Sequence, residues 1–450
     1  MDLIKILAQR VSLPFSYYRE GFDIMPRWRE LEKSQYFSED EMHDLQWRRL
    51  KTLLSDAYVN VPYYSELFDR EGIRPGDINN ETDFRKIPVL TKQDIRDHHD
   101  RMVSKKYDPG TMIPKKTGGS TGVPLKLYWS RGATAHKKAA TLRHDAWTGY
   151  RPGEKLAMLW GAEPGDDTWR FKLYNFLTLR RIALDTLQMS DATTGAFLTR
   201  LRKYGAPFLF GHAHSLYVLA QYVDQNGITD LPTRSILSTA EVLTPKERQQ
   251  IERAFGVPLF DRYGCEELSV IASECEAHEG LHVHSEGLYI ELEGSGEQEP
   301  GDLIITDLVN DGMPLIRYKT EDMALPLGGR CSCGRTLPRL KTIFGRHTDF
   351  LYTPDGRSLS GISIMVNLAI EIPGIWQVQV VQDRLDHLLF RIVRTDQFGE
   401  HSLRRLAQEI PKFFGSGMNY DVEYVEALSR TPRGKYQFSI CKIPRPEASS

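Results

Sequence analysis

The chain has 450 residues, of which 40% are hydrophobic and 26% are charged, and its 58 Lys and Arg nearly balance its 60 Asp and Glu. This length exceeds what one hydrophobic core usually serves, so we expect a globular protein of at least two domains. A net charge of -2 leaves no cationic excess to hold a polyanion, which excludes nucleic acid as the main partner.

The N-terminal segment is apolar only in short runs, because Lys5 and Arg10 interrupt it. It does not have the form of a signal peptide, and we expect no integral membrane segment, since no run has the apolar length that a bilayer requires. A helix here would carry four apolar residues on one face: Leu3, Ile4, Leu7 and Val11. We expect this face to pack on the protein; contact with a membrane or a partner is the alternative.

Five cysteines are spread along the chain: Cys265, Cys275, Cys331, Cys333 and Cys441. They are too sparse for a secreted scaffold of this size that is held by disulfides. The chain is therefore expected in a reducing compartment, and we predict a cytoplasmic location.

A helix is predicted to begin after Ser38, because Ser-Glu-Asp-Glu at 38–41 forms a capping box. Apolar residues follow at helical spacing: Leu45, Leu50, Leu53, Leu54 and Ala57. The Val61-Pro62 step ends this helix, and short helices alternate with proline turns up to Thr91.

A loop rich in glycine and hydroxyl groups follows, with the sequence Lys115-Lys116-Thr117-Gly118-Gly119-Ser120-Thr121-Gly122-Val123-Pro124. Its glycines let consecutive backbone N–H groups turn towards one anion, and its three hydroxyls add donors. The spacing is not that of a Walker loop. We predict a phosphate-binding loop; a plain turn between strands is the alternative.

Strand-like and helix-like runs alternate beyond this loop. Strands are predicted over 125–129, 155–160, 181–187, 207–211 and 235–239, and helices over 134–147, 192–204, 214–225 and 246–255. This alternation predicts an α/β domain whose helices layer against a sheet.

A smaller unit is predicted beyond Gly345, where a hairpin (375–382 and 387–393) precedes a helix (402–413) and a strand (420–426). We therefore predict two domains of different size. The first, 1–345, is a large layered α/β domain, and the second, 346–450, is a small α+β lid.

Carboxylates recur in three short segments. Asp261-Arg262-Tyr263-Gly264-Cys265-Glu266-Glu267 forms a glycine turn whose acids could hold the Mg²⁺ of a polyphosphate; a surface turn with solvated acids is the alternative. Ser238-Thr239-Ala240-Glu241 stands at a strand end, where open α/β sheets bind ligands. Asp322 ends the run 314–322, and its two oxygens could each accept a hydrogen bond from one hydroxyl of a diol.

A basic turn, Arg430-Thr431-Pro432-Arg433-Gly434-Lys435, lies near the C-terminus. The compact charge of Lys435 suits a moving contact to carboxylate and phosphate oxygens. A basic surface turn without a ligand is the alternative.

Two segments together offer four metal ligands: Cys275 and His282, and the pair Cys331 and Cys333 on one glycine turn. Three thiolates and an imidazole would close a tetrahedral, structural Zn²⁺ site. The spacings differ from the common Cys-x-x-Cys, so free packed cysteines are the alternative. His278 or His284 could replace His282 as the fourth ligand.

Five segments of the chain, in sequence order, resemble signatures of the adenylate-forming superfamily, the acyl-CoA synthetases and their relatives. The loop at 117–124 resembles its phosphate loop, 263–267 its Tyr-Gly-x-Thr-Glu, and 318–322 its Tyr-Arg-Thr-Gly-Asp. Residues 345–349 resemble its Gly-Arg-x-Asp-Asp hinge, and 430–435 its terminal lysine motif. The resemblance is greatest to the phenylacetate-CoA ligase branch, together with relatives from capsular polysaccharide loci.

The resemblance implies a role for each matched residue. Thr121, Glu267 and Lys435 would be catalytic, with Glu267 as the magnesium ligand. The implied ATP contacts are Thr117, Gly118, Gly119, Ser120, Thr121, Gly122, Ala240, Glu241, Tyr263, Gly264, Glu267, Asp322, Arg346 and Lys435. Three residues depart from the signatures, because Glu266, Glu321 and Thr348 replace a hydroxyl residue, a glycine and an aspartate.

The resemblance implies an enzyme that activates a carboxylic acid with ATP and Mg²⁺, releases pyrophosphate, and passes the acyl group from acyl-AMP to a thiol or an amine. CoA is the expected acceptor. One alternative is adenylation in capsule or cell-surface polysaccharide biosynthesis, with transfer to an amine, a sugar or a carrier. Another is a non-catalytic nucleotide-binding scaffold, which the three departures permit.

Overall fold

The computed structural model describes residues 2–116, 125–161, 168–186, 189–294, 299–346, 350–355, 358–360, 372–428 and 439–443, with the backbone alone at 345, 346, 350, 358 and 360. Three predicted features lie outside these ranges: the phosphate loop at 117–124, the hinge residues 347–349 and the turn that contains Lys435.

The helices of the described ranges divide between the two domains. They are α1 (Leu3–Leu7), α2 (Leu13–Arg19), α3 (Ile24–Ser34), α4 (Glu39–Asn60), α5 (Pro62–Arg70), α6 (Glu81–Phe84), α7 (Lys92–Asp97), α8 (Arg131–Trp147), α9 (Trp169–Tyr174), α10 (Asp191–Tyr204), α11 (Ala213–Gln225), α12 (Pro245–Phe255) and, in the small domain, α13 (Glu400–Phe414). The predicted capping box is confirmed, because Ser38 and Glu41 bond reciprocally at the start of α4.

The strands are β1 (Ile113–Lys116), β2 (Lys126–Trp129), β3 (Leu156–Trp160), β4 (Arg181–Asp185), β5 (Phe208–His212), β6 (Ser235–Thr239), β7 (Leu259–Cys265), β8 (Ser269–Glu274), β9 (Leu281–Val283), β10 (Leu288–Glu293), β11 (Gly301–Asp307), β12 (Tyr318–Leu327), β13 (Arg339–Arg346), β14 (Phe350–Tyr352), β15 (Ser358–Ser360), β16 (Ile375–Arg384), β17 (His387–Arg394), β18 (Asn419–Tyr424) and β19 (Ser439–Cys441). The antiparallel pair β1–β2 flanks the predicted phosphate loop.

One large mixed sheet unites most of the described strands, in the order β10-β11-β12-β13-β9-β8-β7-β6-β5-β3-β4. The neighbouring strands β7, β6, β5, β3 and β4 pair in parallel. All other neighbours in this sheet pair antiparallel. Helices connect the parallel strands, as crossover connections require. The α/β alternation predicted over 155–255 is thereby confirmed, with element ends within two residues of the prediction.

Two apolar clusters cover the two halves of this sheet. Helices α10 and α11 pack on the parallel half through side chains such as Phe197 and Leu216. Helices α4 and α5 pack on the antiparallel half, where Tyr64 is fully buried. The Tyr64 hydroxyl donates to Pro314 O at 3.0 Å and accepts the Ile316 N–H at 3.1 Å. The N-terminal helices therefore fix the segment that leads into β12.

The small domain is a four-stranded sheet, in the order β18-β17-β16-β19, covered by α13. The predicted hairpin forms its centre, and the predicted helix lies within α13, which buries Leu406, Ile410 and Phe414 against Phe390 and its neighbours. The α+β prediction for this domain is confirmed. The boundary between residues 345 and 346 stays a prediction, since β13 of the large sheet extends to Arg346.

The predicted apolar face of the N-terminal segment does not pack on the protein. Leu3, Leu7 and Val11 are exposed, and only Ile4 is partly buried, so that expectation is wrong. No helix within the described ranges has the length and apolar character needed to cross a bilayer.

Candidate active site

Tyr263 and Asp322 meet although they lie on distant strands of the large sheet. The Tyr263 hydroxyl, on β7, donates to Asp322 Oδ2, on β12, at 2.5 Å. Three strands lie between β7 and β12, so a flat sheet would hold them about 19 Å apart. The sheet therefore curls, and it brings together Tyr263 and Asp322, two residues that we predicted to contact the nucleotide. Burial and the Asp322 carboxylate raise the pKa of Tyr263 well above its ordinary value.

Glu267 lies buried between the strand that follows the predicted phosphate loop and the strand that carries Asp322. Its backbone carbonyl accepts the Trp129 indole N–H at 3.1 Å, and its Oε1 accepts the Tyr318 hydroxyl at 3.2 Å. Burial and the Glu267 carboxylate raise the pKa of Tyr318 well above its ordinary value, so this phenol remains a proton donor at neutral pH.

Two of the departures from the family signatures face lysines. Glu266 Oε2 lies 3.7 Å from Lys115 Nζ, beside the predicted phosphate loop. Glu321 accepts a hydrogen bond from Lys92 and has a φ of 71°, a left-handed conformation that favours glycine. This conformation explains why the related signature has glycine there, and the ion pair with Lys92 fixes the glutamate that replaces it.

His214 links the segment that contains Ala240 and Glu241, two of the predicted ATP contacts, to the small domain. Ala240 follows β6 with a φ of 69°, and the next residue, Glu241, accepts the backbone N–H of His214 at 3.0 Å. His214 Nδ1 donates to Glu247 at 3.1 Å, which leaves Nε2 to accept from Gln377 Nε2 at 3.1 Å. Gln377 belongs to β16, so this imidazole bonds across the two domains.

A cavity of about 610 Å³ opens beside β1 and β2. Lys115, Arg131, Lys137 and Lys138 line it together with Trp129 and Glu266. The ammonium groups of Lys115 and Lys137 lie 4.3 Å and 4.8 Å from the centroid of the Trp129 ring. Glu20 lines the cavity too, and the three lysines pair with carboxylates, Lys115 with Glu266, Lys137 with Asp307 and Lys138 with Glu20. The cavity therefore presents charges of both signs next to the predicted phosphate loop.

The four predicted metal ligands lie together. One ligand atom from each of Cys275, His282, Cys331 and Cys333 lies within 4.8 Å of every other. The sulfurs of Cys275 and Cys331 are 3.7 Å apart, too far for a disulfide, and Cys333 Sγ lies 3.4 Å from His282 Nε2. His282 Nδ1 donates to the Leu337 carbonyl at 3.1 Å, which directs the other ring nitrogen at the cluster.

The alternative histidines have other partners. His278 Nδ1 bonds Glu274 at 3.2 Å. His284 Nδ1 lies 3.1 Å from Arg143 and 3.3 Å from Glu286 in a separate buried network. Of the three histidines considered, the structure brings His282 to the cysteines.

The residues predicted at 117–122 and Lys435 lie outside the described residues. Arg346 is described by its backbone, which pairs with that of Asp322 between β13 and β12. The sequence interpretation missed Tyr318 as the partner of Glu267 and Lys92 as the partner of Glu321. Tyr318 begins the run that resembles a family signature and ends at Asp322. Its place in that run is the sequence feature that could have indicated a role in the site.

Comparison with known proteins shows which proteins this chain resembles. The family "CapK C-terminal domain" matches residues 351–442. Protein CapK of Staphylococcus aureus is 23% identical over 98% of the chain and 97% of its own length. Phenylacetate-coenzyme A ligase of Escherichia coli is 27% identical over 72% of the chain and 75% of its own length. The chain is homologous to CapK and to the phenylacetate-CoA ligases.

The predicted resemblance is thereby confirmed, and the homologous ligases support the prediction of an acid–thiol ligase. A structure of 2-hydroxyisobutyryl-CoA ligase, in its postadenylation state with 2-HIB-AMP, matches with a TM-score of 0.74 at 19% identity, over 91% of this chain and 92% of the other. This match confirms the predicted fold, a large α/β domain with a small C-terminal domain.

Proposed function

We propose that the protein activates an aryl or acyl carboxylic acid with ATP, releases pyrophosphate, and passes the acyl group from acyl-AMP to the thiol of CoA. The contact between Tyr263 and Asp322 carries the proposal, because it joins two signatures of the adenylate-forming superfamily in one site. The homologous phenylacetate-CoA ligases support this reaction class.

In the first step, a carboxylate oxygen of the substrate attacks the α-phosphorus of ATP, and pyrophosphate leaves in line. Asp322 accepts hydrogen bonds from the ribose hydroxyls, and Ala240 and Glu241 line the adenine. The loop at 117–122 and Lys435 stabilise the charge that develops at the α-phosphate. In the second step, the thiolate attacks the acyl carbonyl and AMP leaves, while the small domain turns about the hinge at 346–349.

Glu267 fits the role of a magnesium ligand. Its carboxylate is buried, its hydrogen-bond donor Tyr318 is neutral, and it forms no ion pair with another described residue. A buried carboxylate without a cation is costly, and carboxylate oxygen is a preferred ligand of Mg²⁺. When bound, the ion would neutralise charge on the polyphosphate.

The extent of the match to CapK favours a second class of acceptor for the acyl group. That match spans 98% of the chain, whereas the match to the Escherichia coli ligase spans 72%. The alternative is adenylation in capsule or cell-surface polysaccharide biosynthesis, with transfer to an amine, a sugar or a carrier. AMP release from preformed acyl-AMP, measured with CoA and then with amino sugars, distinguishes the two acceptors.

Carboxylate-dependent exchange of labelled pyrophosphate into ATP tests the proposal, because adenylation is reversible and needs no acceptor. A panel of aryl and aliphatic acids should include an acid that supports exchange. Lys435→Ala should lower that exchange by about a thousandfold, since it removes charge stabilisation at the α-phosphate. Folded protein that binds ATP but exchanges with none of the acids would indicate the non-catalytic scaffold.

We also propose that Cys275, His282, Cys331 and Cys333 hold a structural zinc ion. Tetrahedral zinc with ordinary bond lengths separates two sulfurs by about 3.8 Å and a sulfur from a nitrogen by about 3.6 Å. The observed separations, 3.7 Å between two of the sulfurs and 3.4 Å from sulfur to nitrogen, agree with that geometry. Four protein ligands complete the coordination, which leaves no position for a substrate.

A further inference from the structure

An apolar stripe runs along the outer side of the N-terminal helical segment. Backbone in the helical region is continuous from α1, through a π-helical turn at Ala8–Ser12, to the end of α2. Its most exposed apolar side chains follow one another at intervals of three or four residues: Leu3, Leu7, Val11, Phe15 and Tyr18. They are 42% to 82% exposed, so one whole side of the segment presents apolar surface to solvent.

A second stripe lies on the neighbouring helical segment formed by α9 and the π-helical turn Asn175–Leu179. It consists of Trp169, Leu173 and Phe176, which are 47% to 69% exposed and also follow helical spacing. The two segments touch, because Ser12 Oγ donates to the Leu177 carbonyl at 2.9 Å. We call the combined surface of both stripes the N-terminal apolar face.

The opposite side of the first segment is already anchored to the protein. Ala8, Leu13 and Ser16 are buried, and the Ala8 side chain lies directly against the backbone of Gly153, where a Cβ would come within 2.9 Å of it. The Lys5 ammonium pairs with Glu154 at 2.5 Å. The exposed stripe is therefore held outward by tertiary contacts on the opposite side of the segment.

Cationic side chains stand beside the first stripe. Arg10 and Arg19 are exposed beside the first stripe, and the sequence from residue 3 to residue 19 contains no acidic residue. The acids at its two ends are already paired, Asp2 with Arg180 at 2.5 Å and Glu20 with Lys138 at 3.1 Å.

We propose that the N-terminal apolar face lies on the surface of a membrane that contains anionic lipid. Apolar side chains would enter the interface between headgroups and acyl chains, and Arg10 and Arg19 would contact lipid phosphates. A two-fold contact with a second copy fits the face less well. It would bring the same exposed arginines of both chains together, while the nearest acids are engaged within each chain.

Vesicle co-sedimentation of the full chain tests this proposal, with phosphatidylcholine alone and with phosphatidylcholine and phosphatidylglycerol in equal parts. The wild type should partition to the anionic vesicles and much less to the neutral ones, and added salt should weaken binding. The double variant Leu7→Ser/Phe15→Ser should lose about tenfold or more in partition, because it removes apolar surface from the interface. Arg10→Gln/Arg19→Gln should lose about tenfold on anionic vesicles alone.

Val59→Ser is the matched control, because Val59 is 71% exposed on α4, a helix that carries neither stripe. The partition of this variant should equal that of the wild type. Unchanged melting temperatures show that all variants remain folded. Equal partition of the wild type and Leu7→Ser/Phe15→Ser overturns the proposal, as does a wild type that binds neither vesicle. A dimer in light scattering that Leu7→Ser/Phe15→Ser dissociates overturns it too, because a second copy then covers the face.

Discussion

His214 of the large domain accepts a hydrogen bond from Gln377 of the small domain at 3.1 Å, while its own backbone N–H donates to Glu241 at 3.0 Å. One residue thereby couples the position of the lid to the segment that we propose lines the adenine. Glu247 fixes the imidazole in the orientation that this contact needs. The two hydrogen bonds of His214 therefore connect Gln377 of the small domain with Glu241 beside the candidate nucleotide site.

Gln377→Ala should slow the pyrophosphate exchange by about fivefold, because it removes one hydrogen bond that holds this domain arrangement. Transfer from supplied acyl-AMP to the acceptor should change less, since we propose that the small domain turns between the two steps. Gln379→Ala, a buried position two residues further along β16, serves as the comparison for general damage to the small domain. If Gln377→Ala slowed the exchange and the transfer equally, the contact would not be specific to one position of the small domain.

Tyr263→Phe should raise the KM for ATP by about tenfold, because Asp322 loses the donor that orients it towards the ribose. The kcat should change less than the KM, since the ribose is remote from the reacting phosphorus. Tyr289→Phe provides the control, as this phenol faces Glu81 rather than a predicted nucleotide contact. A fall in kcat alone would contradict an orienting role in nucleotide binding.

Purified protein should carry about one zinc ion per chain, and Cys331→Ala should lose both the ion and thermal stability. The reason is that the closed site ties together two segments that are far apart in sequence, so the binding free energy of the ion contributes to folding. Cys441→Ala removes a cysteine outside the cluster and should keep the ion. Elemental analysis and melting curves measure both effects; zinc-free protein prepared without chelator would refute the site.

The stability of the wild type should fall relative to that of Asp261→Asn as the pH rises from 5 to 8. Burial and the nearby Glu274 raise the pKa of Asp261 to about 7, well above the ordinary value of an aspartate. The fold disfavours the charged form of Asp261. The raised pKa therefore stabilises the folded protein below pH 4, and this stabilisation is lost as the pH rises through 7. The asparagine does not ionise and can still accept from Ser238.

Melting curves of both proteins at pH 5, 6, 7 and 8 measure this difference. Asp83→Asn provides the comparison, because its pKa is lowered by Lys86 and it ionises below this window. Parallel curves for the wild type and Asp261→Asn across the window would contradict the raised pKa.

The residues that we predicted for the candidate site each belong to a short segment with its own chemical signature, whereas Lys92 lies in no such segment and was missed. Glycine with hydroxyls, a carboxylate at a glycine turn, and paired thiols are local features, and so are the capping box at Ser38 and the alternation that predicted the α/β fold. Local propensity and hydrophobic period also placed the strands and helices over 155–255 within two residues of their observed ends.

Only the tertiary structure decided which of these groups meet. Tyr263 reaches Asp322 because the sheet curls across three intervening strands, and Tyr318 meets Glu267 because β12 passes the turn after β7. His282 was one of three candidate ligands until the register of β9 with β13 placed it beside the cysteines. Contacts between residues distant in sequence depend on strand order, register and sheet curvature, which are properties of the whole packed chain and leave no mark on the local pattern.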